Sequence, residues 1–307
     1  MSKIKIAICL SGEPRYWQRG SDSISSLIKN HNSNCQIDVF YHFWDTVTKR
    51  QSHLINEPII ETIKPQLLLD NYKPVVGICE DKEELRPHVD VAWNYIEELK
   101  QQYNMQQQAL REGLEDKNLF LKMVQTTNCP PFSQIISMCK SFTYMTDYAE
   151  ENNIHYDIII RSRSDVVIDY ISLGKLRSII TKDKLSRYIQ FPSVAVRTPG
   201  VNDPIMNNIN KEHFHYHTPF VEYCFFMSSS HILNKALFED YTNKIVKLLF
   251  RVKAKNKPEK TSVTYLSSHN CVPLFLKQDK KTQIGAPISG FKFKLKQMPI
   301  QGDIHGK

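Results

Sequence analysis

The chain has 307 residues, 41% of them apolar and 23% charged, so it can bury a core and is not a disordered polyelectrolyte. Its formal charge of +8 is unevenly placed: residues 240–307 carry 14 basic and 4 acidic side chains, leaving 26 and 28 to residues 1–239. That split excludes a uniformly basic protein and points to a near-neutral body with a basic C-terminal region that meets an anionic partner locally.

Glycine is scarce, at 10 residues, and no two have G-x-G-x-x-G or G-x-x-x-x-G-K spacing. A bound nucleotide would therefore have its phosphates met by charge, a metal or hydroxyls rather than by a glycine cradle. Seven cysteines lie scattered with no C-x-x-C pair, which fits a reducing compartment. The Lys3–Leu10 run is too short and too alternating for a signal peptide, and no apolar run approaches the ~18 residues of a membrane span. The expected setting is the cytoplasm, the host's if the protein is viral.

In chain order, Ile4–Leu10 reads as a first strand buried on both faces and stopped by Ser11-Gly12-Glu13-Pro14. Ser21–Asn30 reads as a short helix, and Gln36–Trp44 as a second strand rich in branched and aromatic residues. Glu57–Pro65 is predicted helical, with Gln66–Asp70 and Pro74–Cys79 as strands around a turn. Residues 82–132 are poor in strand formers and form a helical insertion ended by Pro130-Pro131. Ser133–Glu150 is a helix, with Ile136, Cys139, Phe142, Met145 and Tyr148 at helical spacing.

Tyr156–Ile160 is the clearest buried strand, and it runs into Arg161-Ser162-Arg163-Ser164-Asp165. Ser186–Phe191 and Val221–Met227 are further strands, Ser230–Phe250 a helix and Arg251–Lys260 a basic loop. The alternating tail Phe291–Lys296 is an edge strand or a surface arm. Strand–helix alternation predicts an α/β fold with a mostly parallel sheet flanked by helices. Residues 1–239 would be its catalytic domain, with 240–307 a basic helix and tail packed on the same domain.

A carboxylate at the end of a buried strand sits where open α/β sheets bind ligands. Asp165 could hold a divalent cation bridging a diphosphate, and Arg161 and Arg163, two apart, would point the same way from an extended strand toward phosphate oxygens. The competing reading is an Arg163–Asp165 ion pair that closes the strand end. His213, His215 and His217 share one face if extended, and imidazoles can hold Mn²⁺ or Zn²⁺.

The run Lys5–Arg15 resembles the first strand and loop of a group of nucleotide-sugar glycosyltransferases found in bacterial polysaccharide clusters, phages and large viruses. Asp38–Trp44 resembles that group's second-strand motif, and Ser137-Met138 with Ser141 its helix before the metal-site strand. Tyr156–Asp165 resembles its Asp-x-Asp region in the form Arg-x-Arg-x-Asp, with a weaker match at Asn202-Asp203. The matches cover about 1–50 and 133–170.

The resemblance implies a GT-A fold, a Rossmann-like sheet in which Mn²⁺ or Mg²⁺ commonly holds the donor diphosphate. Ser11, Gly12, Arg15, His42, Arg161, Arg163 and Asp165 would then bind the donor, with Asp165, His215 and His217 as metal ligands. Arg163 stands where the pattern has its first Asp, which leaves Asp165 as the remaining carboxylate of that motif. An inverting reaction needs a general base, for which Asp203 and Glu222 are the candidates.

Lys244, Lys247 and Arg251 lie three and four apart, and Lys253 and Lys255 continue the basic run, so this region would bind the acceptor. The function expected is transfer of a sugar to a hydroxyl, with a hydroxymethylated base in phage DNA as the acceptor. The alternatives are a polysaccharide or glycolipid transferase, and a non-catalytic nucleic-acid-binding protein on a transferase scaffold.

Overall fold

A computed structural model describes residues 3–49, 59–103, 116–125, 130–168, 177, 188–189, 225–229, 233, 235–253, 262–265, 275–276, 283–284 and 293–295. Strand β1 (Ile4–Gly12) is buried along nearly its whole length, which its continuous apolar run requires of a central parallel strand. It pairs in parallel with β2 (Cys35–Trp44), Ile4 opposite Cys35 and Gly12 opposite Phe43. Helix α1 (Trp17–His31) makes the crossover between them.

A small antiparallel hairpin follows, β3 (Thr46–Lys49) with β4 (Ile59–Thr62), then α2 (Pro65–Tyr72) and β5 (Val76–Glu80). A 3₁₀ turn at Lys82–Leu85 opens the helical insertion, which contains α3 (Arg86–Gln102) and α4 (Lys117–Gln125). Helix α5 (Pro130–Glu151) lies against β1 and β2. Its buried Phe132, Ile135, Ile136, Cys139, Phe142 and Met145 carry the helical spacing seen in the sequence.

The chain then returns to the other side of β1 through β6 (Ile158–Ser162), which pairs in parallel with it. Beyond β6 come β7 (Val166–Ile168), β8 (Tyr188–Ile189), β9 (Phe225–Ser228), α6 (Lys235–Phe238), α7 (Tyr241–Leu249), β10 (Phe250–Lys253), β11 (Ser262–Tyr265), β12 (Gln283–Ile284) and β13 (Phe293–Leu295).

Among the described residues the main sheet runs β5-β2-β1-β6-β9, with the first four parallel and β9 antiparallel to β6. This is the expected α/β arrangement. The chain builds outward from β1 through β2 to β5 and then resumes at β6, so the winding direction reverses between β1 and β6. In open α/β sheets such a reversal opens a crevice at the carboxyl ends of the strands, where ligands bind.

Several elements differ from the sequence expectation. The predicted helix over Glu57–Pro65 contains β4, and the predicted strand Gln66–Asp70 lies inside α2. Pro65 stands at the first helical position, and Lys73, left-handed at φ 45°, closes the helix by donating its N–H to the Leu69 carbonyl. Short apolar runs such as Leu67–Leu69 fit either period. The single helix expected over Ser230–Phe250 is two, with Asp240 left-handed between α6 and α7.

The expected basic loop begins as strand β10, antiparallel to β11. The tail forms β13, an antiparallel partner of β7, with Leu295 opposite Val166. Among the described residues no helix is long and apolar enough to cross a membrane.

Candidate ligand site at the carboxyl edge of the sheet

The reversal point brings together Ser11 at the end of β1 and Arg161 in β6. Arg161 is completely buried and donates to Ser11 Oγ from Nε at 3.3 Å and from Nη2 at 3.1 Å. A buried guanidinium keeps its charge, so a fixed positive charge lies between the ends of β1 and β6. Cys9, in register with Arg161, is equally buried. Burial pushes its thiol far above the usual range and Arg161 offsets part of this, so the sulfur stays protonated and is no nucleophile.

Gly12 adopts φ 106°, which favours glycine, and its N–H donates to Ser137 Oγ at 2.7 Å. The Ser137 hydroxyl lies 2.8 Å from both the His42 carbonyl and His42 Nδ1. His42 Nε2 is 3.0 Å from Glu80 Oε2, which Lys140 also pairs with. Burial lowers the pKa of His42, outweighing the Glu80 carboxylate that its Nε2 faces. His42 thus reaches the loop after β1 through Ser137 and supports it from within the core.

Glu13 organises the loop after β1. Its Oε2 accepts from Arg15 Nε at 2.8 Å and from the Thr48 amide at 3.1 Å; its Oε1 accepts from Thr48 Oγ1 at 2.9 Å and pairs with Lys82 Nζ at 2.5 Å. Lys82 also donates to the Gln125 carbonyl at 2.8 Å, tying the helical insertion to this loop. Burial raises the carboxyl pKa of Glu13, but Arg15 and Lys82 outweigh it and the net shift is downward.

The turn after β6 is fastened to the same loop. Ser164 Oγ donates toward the carbonyls of Glu13 and Arg15, at 3.1 and 3.0 Å. Helix α1 approaches so closely that a Cβ at Gly20 would collide with the Ser164 carbonyl. Arg163 does not share the orientation of Arg161 expected from their spacing, because β6 ends at Ser162. Its Nε donates to Asp165 Oδ1 at 2.8 Å and its Nη2 to Asp165 Oδ2. The side chain of Asp165 is 8% exposed, those of Arg163 and Arg15 27% and 34%.

The donor set tests the expected metal. Among the described residues no three His, Cys, Asp or Glu side chains converge on a possible cation position. Both oxygens of Asp165 are engaged by Arg163, so a cation there would have to displace a guanidinium. His213, His215 and His217, the candidate bases Asp203 and Glu222, and Lys255 lie outside the described residues.

Of the expected acceptor residues, Lys244 donates to the Ala236 and Leu237 carbonyls and so caps α6, while Lys247 is exposed one turn on. Arg251 and Lys253 alternate along β10, opposite Thr264 and Ser262. The structure thus joins Ser11, Gly12, Arg15, Arg161, Arg163 and Asp165 at one sheet edge, with His42 behind them. Sequence reasoning missed Glu13, Lys82, Glu80 and Lys140; a glutamate directly after a buried strand was the one available signal.

Comparison of the chain with protein-family models, curated proteins and solved structures finds no match.

Proposed function

We propose that the chain is a nucleotide-sugar glycosyltransferase of the GT-A type that binds its donor at the carboxyl edge between β1 and β6. The observation that carries this reading is the winding reversal itself. It coincides with Arg161 donating to the Ser11 hydroxyl, and Arg15 and Arg163 lie in the loops that follow β1 and β6. Negative charge develops on the leaving nucleoside diphosphate during sugar transfer, and fixed cations at that edge would stabilise it. The motif resemblance over residues 1–50 and 133–170 supports the same assignment. An inverting reaction would use Asp203 or Glu222 to take the acceptor proton.

The acceptor proposed is DNA carrying a hydroxymethylated base, met by the basic region that includes Lys247, Arg251, Lys253 and Lys255. The test incubates the full chain with a panel of nucleotide sugars and hydroxymethylated DNA, followed by mass analysis of the nucleosides. A nucleoside heavier by one sugar is expected. Transfer to oligosaccharide but not to DNA would move the acceptor to a polysaccharide, and no transfer or donor hydrolysis with any sugar would overturn the transferase reading.

A further inference from the structure

The inference rests on the transferase reading and concerns the sugar that such an enzyme would handle. We propose that a second site lies at the ends of β2 and β5, where Glu80, Lys140 and Tyr144 bind a neutral sugar ring through its hydroxyls.

Three elements bring this cluster together. Glu80 ends β5, and His42 lies in β2 two residues before its end. Lys140 and Tyr144 stand one turn apart in α5, on the stripe that also carries Ser137. His42 Nε2, at 3.0 Å, and Lys140 Nζ meet the same oxygen, Glu80 Oε2. The Tyr144 ring centroid is 6.4 Å from that of His42. Three polar side chains thus gather about one carboxylate at the carboxyl edge of the sheet, where open α/β folds bind ligands. His42 also contacts Ser137, which holds the Gly12 amide, so this cluster and the loop after β1 share one chain of polar contacts.

The cluster meets solvent and has bonding capacity left. The Glu80 and Lys140 side chains are 23% and 16% exposed, and Tyr144 is half-buried. Hydrogen bonding from His42, opposed by burial and helped by Lys140, brings the Glu80 carboxyl to about 2, so it is ionised. Burial and the nearby Glu80 charge push the Tyr144 hydroxyl up to about 12, so it keeps its proton. Among the described residues Glu80 Oε1 accepts no hydrogen bond, the Tyr144 hydroxyl makes none, and Lys140 uses one of its three donors, on Glu80. An ion pair drawn this far from water is a poor source of stability, and such groups at a sheet edge mark binding sites. Glu80 and Lys140 cancel in charge, so the pair favours neither a phosphate nor a metal ion. An acceptor and a donor side by side match two adjacent hydroxyls of a sugar ring, and Tyr144 supplies a third polar contact.

The test titrates the full chain with free glucose, galactose, mannose and N-acetylglucosamine by saturation-transfer NMR. Saturable binding of at least one is expected, undisturbed by inorganic phosphate. Glu80→Gln should weaken it about 10- to 100-fold, the worth of a hydrogen bond to a charged group. Tyr144→Phe should weaken it about 3- to 10-fold, the worth of a neutral one, with Tm unchanged, because the hydroxyl removed bonds nothing among the described residues. This variant keeps the test readable if Glu80→Gln fails to fold, and a purely structural ion pair would not make sugar binding depend on it.

A nucleotide sugar that displaces the free sugar would assign the site to the sugar of the donor, and simultaneous binding of the two would assign it to the acceptor; either supports the proposal. No saturable binding of any of the four sugars would overturn it, as would binding left unchanged by either variant in its folded form. Sugar binding sensitive to both variants, without transfer to any acceptor, would remove the transferase reading and leave this one standing. Transfer with unaltered KM for donor and acceptor in Tyr144→Phe would do the reverse.

Discussion

The amide of Gly12 donates to the hydroxyl of Ser137 across 125 residues of sequence, at 2.7 Å and fully buried. That bond fastens the last residue of β1 to α5 and, through His42 and Glu80, to the ends of β2 and β5. The loop that would carry a donor phosphate is therefore held from below by a chain of polar contacts inside an otherwise apolar layer.

Ser137→Ala should expose the value of this bond. The Gly12 N–H loses its partner while staying buried, which costs about 1–3 kcal/mol. Thermal unfolding should show a fall of a few degrees in Tm. An unchanged Tm would mean that the loop is held without Ser137.

Lys82→Met tests the link between the loop after β1 and the helical insertion. Lys82 and Glu13 are both buried, and removing one member of such a pair leaves an uncompensated charge. The loss should be about 3 kcal/mol, the low end for a broken buried pair, because Arg15 and Thr48 still contact Glu13. Urea unfolding of Lys82→Met, Glu13→Gln and the double variant should show strong non-additivity, with the double variant less destabilised than the sum of the singles. Additive losses would show that the two side chains act independently.

Acid should destabilise the fold in two stages. Burial lowers the pKa of His88 from the ordinary 6.5 to about 4, and Lys140 nearby acts in the same direction. As pH falls below 6.5 the unfolded chain takes up this proton and the folded chain does not, so stability drops between pH 6.5 and about 4. His42 is shifted the same way, chiefly by burial, and adds to the drop.

Glu80 follows at lower pH. Hydrogen bonding from His42, helped by Lys140 and opposed by burial, brings its carboxyl from 4.5 to about 2. Its contribution is complete above pH 4.5 and is lost as pH falls toward 2. Thermal unfolding from pH 7.5 to 3 should show Tm falling from about pH 6.5 downward, with a shallower slope in His88→Asn. A Tm constant between pH 6.5 and 4 would contradict these environments.

The main strands were legible because burial on both faces leaves a local record. Ile4–Leu10, Gln36–Trp44 and Tyr156–Ile160 are apolar or branched almost without interruption, and they are β1, β2 and most of β6. The 3.6-residue spacing of Ile136, Cys139, Phe142 and Met145 marked α5 in the same way. Where a run is short, period does not discriminate, and β4 and α2 exchanged type for that reason. The hairpin β10–β11 was missed: Arg251–Lys260 was expected as a basic loop, although Phe250, Arg251, Val252 and Lys253 alternate with a period of two.

The amino-acid sequence by itself determined an α/β layer, a charged cluster closing a buried strand, and a basic C-terminal region. The tertiary structure decided what that cluster does. It turned Arg161 inward to Ser11 and forked Arg163 onto Asp165, because the strand ends between them and each arginine takes its direction from its own backbone. It also chose the partners of Glu13, whose Lys82 lies 69 residues away, and paired β13 with β7. Residue spacing records periodicity within one element. Which side chains meet across elements depends on packing that spacing does not carry.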